Sequence, residues 1–130
     1  MIVMKVRTRD DVKKVLRKVR QANIVSLGHA GATIRLTARR SIRRRKQAAP
    51  PGRPPHTRRG LLRKAIRYAV EKERQRVVIG PEHAIAGTSG AAHEFGGVYK
   101  GGRYAPRPFM RPALEKIKDR LPRKWANSVR

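Results

Sequence analysis

Cysteine is absent from the chain, so no disulfide framework, thiolate metal site or cysteine nucleophile can be built from it. Carboxylates are scarce: eight Asp and Glu stand against 34 Lys and Arg, a formal net charge of +26. No acid pair with catalytic spacing is found among so few. Aromatic residues make up 5% of the chain, too few for a surface that stacks exposed bases. No run approaches the ~20 apolar residues of a membrane span, and the opening Met1–Arg7 alternates apolar and basic residues, unlike the apolar core of a signal peptide. A soluble protein made inside the cell is expected, with no membrane partner.

What is present is positive charge, unevenly placed. Between Val12 and Val70 there are eighteen Lys and Arg and no Asp or Glu, so helices there cannot neutralise themselves through i,i+4 pairs. Self-repulsion on this scale opposes a compact isolated monomer; a polyanion or the acidic faces of neighbouring subunits would offset it. The densest cluster is Arg39, Arg40, Arg43, Arg44, Arg45 and Lys46, followed by Arg58 and Arg59. Cations at a helix end complement its negative pole, and the same cations suit phosphate. With no aromatic residue among them, contact with DNA is expected at the backbone, without sequence readout.

The local pattern predicts an α+β fold in one domain, residues 1–130. Ile2, Met4 and Val6 fit one face of a short strand, with Lys5 and Arg7 opposite. Thr8, Asp10 and Asp11 offer a helix start, and Val12, Val15, Leu16 and Val19 form a stripe. A long N-terminal helix runs from about Asp10 to about Lys46, with Gly28 and Gly31 as weak points; it breaks near Gly28 or continues, both being open. Four prolines between Pro50 and Pro55 make residues 47–56 a rigid elbow. Thr57 then caps a helix to about Lys72, on the spacing of Leu61, Leu62, Ala65, Ile66 and Ala69.

Val77, Val78 and Ile79, closed by Gly80–Pro81, read as a strand. Residues 82–92 read as a flexible loop, and Val98–Tyr104 around Gly101–Gly102 as a hairpin. Pro112 to Leu121 gives an amphipathic C-terminal helix ended or kinked by Pro122, and 122–130 is a tail. The small antiparallel sheet is expected to pack against the helices.

Motifs with catalytic overtones fail on inspection. His93-Glu94-Phe95-Gly96-Gly97 starts like a zinc-protease helix, but glycine holds the place of the second histidine. Gly87-Thr88-Ser89-Gly90 lacks the second glycine and the leading strand of a nucleophile elbow. His29, His56 and His83 are widely separated. No catalytic residue, cofactor or metal is expected, and the chain is read as a non-enzyme.

Three segments in order resemble the small head-tail joining proteins, also called neck or tail-completion proteins, of long-tailed double-stranded DNA phages. They are Ala49-Pro50-Pro51-Gly52 with Pro54-Pro55-His56-Thr57 and Gly60-Leu61-Leu62-Arg63-Lys64-Ala65-Ile66; His93-Glu94-Phe95-Gly96-Gly97; and Arg107-Pro108-Phe109-Met110-Arg111-Pro112-Ala113-Leu114. With Val77-Val78-Ile79-Gly80 between the first two, the resemblance covers roughly residues 38 to 121. Arg58 and Arg59 depart from the family pattern, which has a polar residue before the glycine, and the charge is high for the family.

The resemblance implies a virion protein of the neck, present in the host cytoplasm during assembly. Its partners would be identical subunits in a six-fold ring, portal or adaptor-side connector proteins, and a tail terminator or tail tube. Where the basic window lines the bore, genomic double-stranded DNA would be held there through its backbone; where it faces outward, it would dock on acidic surfaces of the connector or tail terminator, both being open. Phe109 and Met110, beside Arg111 and Phe95, could then face a neighbour or the protein's own sheet, and Glu94 could pair with an arginine of the next copy. The reading from charge alone is a basic packaging or histone-like DNA-binding protein.

Overall fold

The computed structural model describes residues 1–6 and 9–130. Arg7 and Thr8 lie outside the described residues, and with them part of the expected first strand and helix cap. Residues 1–6 are exposed and form no strand; among the described residues no neighbouring strand offers them backbone partners, which an isolated strand lacks.

One helix, α1 (Val12–Ser41), supplies the frame on which the rest is laid. It begins where Asp10 Oδ1 accepts the Val12 amide at 3.0 Å. The helix runs unbroken through Gly28 and Gly31, because packing against other elements outweighs the propensity of two glycines. Ser26, Ala30, Ile34 and Ala38 recur every fourth residue and are buried. The small side chains of Ser26, Ala30 and Ala38 let other elements approach, and Ile34 fills space between them. Gly31 is the closest point: a Cβ there would stand 2.7 Å from both Tyr68 Cδ2 and Val77 Cγ2.

α1 ends at Ser41, short of the expected Lys46. Ile42 turns extended with ψ 113° and is buried in the core, which pulls Arg43–Arg44 into a short strand, β1. The elbow carries the chain back to β2 (His56–Thr57), which pairs parallel with β1 as Arg43 with His56 and Arg44 with Thr57. Pro55 is fully buried.

The expected helix from Thr57 to Lys72 is replaced by one turn and a strand. α2 (Leu61–Ala65) starts at Gly60, whose φ of 77° suits glycine, while Thr57 Oγ1 accepts the Gly60 amide at 3.1 Å. β3 (Ile66–Glu71) then pairs antiparallel with β4 (Arg76–Pro81), Tyr68 opposite Ile79 and Val70 opposite Val77. β4 contains the expected Val77–Ile79 strand; its backbone groups need a partner, and the neighbouring segment provides it.

Residues 82–92 are largely helical rather than a loop: α3 (His83–Ala86) and α4 (Ser89–Phe95) are separated by Gly87 and Thr88. The Ser89 hydroxyl donates to the Ala86 carbonyl. The hairpin of β5 (Gly97–Tyr99) and β6 (Gly102–Tyr104) follows, with Tyr99 and Tyr104 in an edge-to-face contact at 5.7 Å. α5 (Met110–Ile117) continues as a 3-10 helix over Lys118–Lys124, which contains Pro122.

The fold is thus α+β, with a long N-terminal helix, small antiparallel sheets and a C-terminal helix. Its core joins Ala38, Ile42, Leu62, Ile66, Phe109 and Ala113. The last residues are not a free tail. Ser26 Oγ donates to the Lys124 carbonyl at 2.8 Å, Trp125 Nε1 donates to Asn23 Oδ1 at 2.7 Å, and Asn23 in turn donates to Gln75 at the β3–β4 turn.

Candidate nucleic-acid interface

The basic residues singled out by their density fall into two classes once partners are counted. The parallel β1–β2 bridge brings the Arg43–Lys46 run beside Arg58. Arg45 N–H donates to the Thr57 carbonyl, Arg44 Nε donates to the Arg58 carbonyl at 3.0 Å, and Arg58 Nε donates to the Lys46 carbonyl at 3.4 Å. Arg44 and Arg58 therefore hold the elbow closed as well as carrying charge. Arg40, Arg43, Arg45, Lys46 and Arg59 are exposed, and Arg39 is half-buried. Among the described residues none of these six side chains makes an ion pair or hydrogen bond.

The eighteen-cation window stays almost without internal neutralisation. Of the five ion pairs among the described residues, one reaches into it, Arg67 with Glu82 at 3.5 Å. Glu71 is committed to Arg76 at 2.7 Å, which holds its carboxyl below the usual range chiefly through that hydrogen bond. Glu115 is likewise held low by hydrogen bonding to Lys118 at 2.6 Å. Asp11, Glu71 and Glu115 are thus paired with cations outside the window.

The residues expected at a subunit interface separate. Phe109 is fully buried in the core, so it cannot meet a neighbour; it sits at the start of α5, where the chain enters facing α1 and α2. Met110 is partly buried against that core. Within the chain, Glu94 is held by backbone, and among the described residues it makes no ion pair with an arginine. Its Oε2 accepts the Phe109 and Met110 amides and its Oε1 accepts the Arg111 amide, all at 2.9 Å. A carboxylate from α4 thus caps α5, meeting free N–H groups and the positive helix end together. Phe95, at the end of α4, is 81% exposed, and Val98, on β5, is 78% exposed. Arg111 is exposed.

The three segments of the resemblance meet physically at this cap. Arg107 Nε donates to the Ala49 carbonyl at 2.6 Å, the Gly52 amide donates to the Pro106 carbonyl at 2.8 Å, and the Arg107 amide donates to the His93 carbonyl at 2.6 Å. Gly96, with φ 71°, lies where a Cβ would come 3.0 Å from Pro106 and the Tyr104 carbonyl. These residues build a rigid node. His93 is half-buried within it, and burial first, then the charge of Arg107, holds its imidazole below the usual pKa.

Among the described residues no three His, Asp or Glu converge on a point that could hold a metal ion, and no helix is long and apolar enough to cross a membrane.

A feature missed in the sequence is the state of the first turns of α1. Val12, Val15, Leu16 and Val19 form the expected stripe, yet every residue from Val12 to Arg20 is exposed, Leu16 at 61%. The stripe is visible in the sequence; its lack of cover is not. The chain's end lies alongside, where Lys18 Nζ donates to the Arg130 carbonyl at 3.3 Å.

No family model, curated protein or solved structure matches the chain.

Proposed function

We propose that this chain is a non-enzymatic joining subunit of a tailed-phage neck, forming a six-fold ring between portal-side connector proteins and the tail terminator or tube, around the genomic DNA. The observation that carries the reading is the half-exposed apolar stripe on α1, in a chain whose net charge of +26 is hardly neutralised from within. Two further apolar side chains, Phe95 and Val98, are exposed on separate elements. Two unlike apolar surfaces on one chain are what a head-to-tail contact requires, and such contacts form a ring when the rotation between copies closes and an open filament when it does not.

The open halves of Val12, Val15, Leu16 and Val19 are worth about 1 kcal/mol each on burial. That biases association without driving a tight pair, since docking itself is costly. Closure strengthens it, because each copy is then held at two faces. Repulsion between cationic copies must be screened by salt or by DNA in the bore. Backbone phosphate is the partner that such a charge distribution fits.

The test is sedimentation velocity of the purified chain at high salt and with short duplex DNA, for wild type and for Leu16→Asp with Val19→Asp. A closed hexamer is expected for wild type, and a folded monomer for the double variant. A folded wild-type monomer that ignores connector and tail components would sink the reading. Tight, salt-sensitive DNA binding by that monomer would favour the packaging or histone-like alternative.

A further inference from the structure

A groove runs between the C-terminal half of α1 and the α5–3-10 segment, outside the node and away from the exposed stripe. It consists of two adjoining hollows of about 480 and 590 Å3 that share Thr37, Arg40, Ile117 and Arg120. Five cations line it: Arg40 and Arg43 from one wall and Lys116, Arg120 and Lys124 from the other. No carboxylate lines either hollow. Glu115, on the same helix, is taken by Lys118, and Asp119 is not among the residues lining either hollow.

All five cations are exposed, and among the described residues none of their side chains has a hydrogen bond or ion pair within the protein. That separates them from Arg35, Arg44, Arg58 and Arg107, whose Nε atoms are spent on backbone carbonyls. Lys116, Arg120 and Lys124 follow at intervals of four residues. Successive cations therefore advance by about 6 Å where the rise is α-helical and about 8 Å where it is 3-10. A row so spaced suits a chain of phosphates; one small anion would need the cations to converge.

We infer that this groove binds the phosphodiester backbone of duplex DNA, with Arg40, Arg43, Lys116, Arg120 and Lys124 each meeting phosphate. The inference deepens the proposed function and rests on its choice of backbone phosphate as partner, but it does not need a ring. Three of the five contacts lie beyond the arginine-dense window, on a segment whose own acids are either paired or off the groove. No aromatic residue lines either hollow, so stacking on unpaired bases has no platform. Binding is therefore to the duplex exterior and insensitive to sequence.

The experiment is a fluorescence-anisotropy salt titration with two unrelated duplexes. Three proteins are compared: the full chain, K116Q/R120Q/K124Q, and the charge-matched control K5Q/K13Q/K14Q. Because log K falls with log salt by about 0.9 per phosphate contact, the groove variant is expected to lower the slope by about 2.7 and the control by less than 1. Equal slope losses in the two variants, or none in the groove variant, would overturn the inference. So would unlike affinities for the two duplexes, or polyglutamate binding as tightly as DNA. Far-UV circular dichroism checks the fold, which the substitution of exposed, unpartnered side chains leaves in place. Sedimentation of the same samples separates the claims: a slope loss confined to the groove variant supports the groove even where no ring forms.

Discussion

Gly28 and Gly31 sit in the same helix three residues apart, and their surroundings give the same substitution opposite signs. Gly28 has no atom within 4 Å of where a Cβ would stand, whereas at Gly31 that atom would meet Tyr68 and Val77 at 2.7 Å. Gly28→Ala is expected to stabilise the protein by about 0.5–1 kcal/mol, the ordinary gain from removing a helix-interior glycine. Gly31→Ala receives the same helical gain but forces two side chains of the β3–β4 hairpin off the helix, an overpacking cost of about 1–3 kcal/mol. A net loss of about 1–2 kcal/mol is expected for it by urea denaturation. Equal stabilisation by both would mean that the hairpin does not press on α1 there. Sequence alone identifies both glycines as helix breakers, since propensity is a local quantity. What distinguishes them is a strand more than thirty residues away.

At the scale of elements, the same limit separates what was legible from what was not. The strand at Val77–Ile79, the Tyr99–Tyr104 hairpin and the C-terminal helix each carry their own turn chemistry, and each lies where expected. Ile66–Glu71 does not: its apolar spacing fits a helix, and it becomes β3 because β4 needs a backbone partner. The candidate DNA contacts were legible as density, but not the groove residues Lys116, Arg120 and Lys124, whose meaning depends on facing Arg40. The sequence also marks Glu94 as one of few acids without revealing its task as a cap for α5. Glu94→Ala should leave the Phe109, Met110 and Arg111 amides without their acceptor and cost about 1–3 kcal/mol. Glu94→Gln, retaining one acceptor oxygen, should recover part of that. Thermal denaturation checks this against Glu73→Ala, an exposed position expected within about 0.5 kcal/mol of wild type; equal effects at both sites would remove the cap from the account.

For the whole molecule, charge decides how stability responds to its surroundings. Many domains lose a little stability in salt because exposed ion pairs are screened. Here the five pairs among the described residues all involve exposed or half-exposed side chains, and such pairs are worth at most about 1 kcal/mol each. Against them stands repulsion among charges that sum to +26, most of it within the window that holds eighteen cations. Screening weakens both, but repulsion is the larger sum, so the folded chain should gain stability. Raising NaCl from about 20 to about 500 mM, beyond which the screening length is only a few ångströms, is expected to raise Tm. A gain of about 1 kcal/mol corresponds to about 3–5 °C for a chain of this size. Association would also raise Tm, but its share grows with protein concentration, so scans at two concentrations separate the two effects. Chloride keeps the test electrostatic, because sulfate would add stabilisation through its exclusion from the protein surface. A Tm that falls with salt at both concentrations would mean that attraction outweighs repulsion in the isolated chain, which would then need neither a neighbour nor a polyanion to offset its charge.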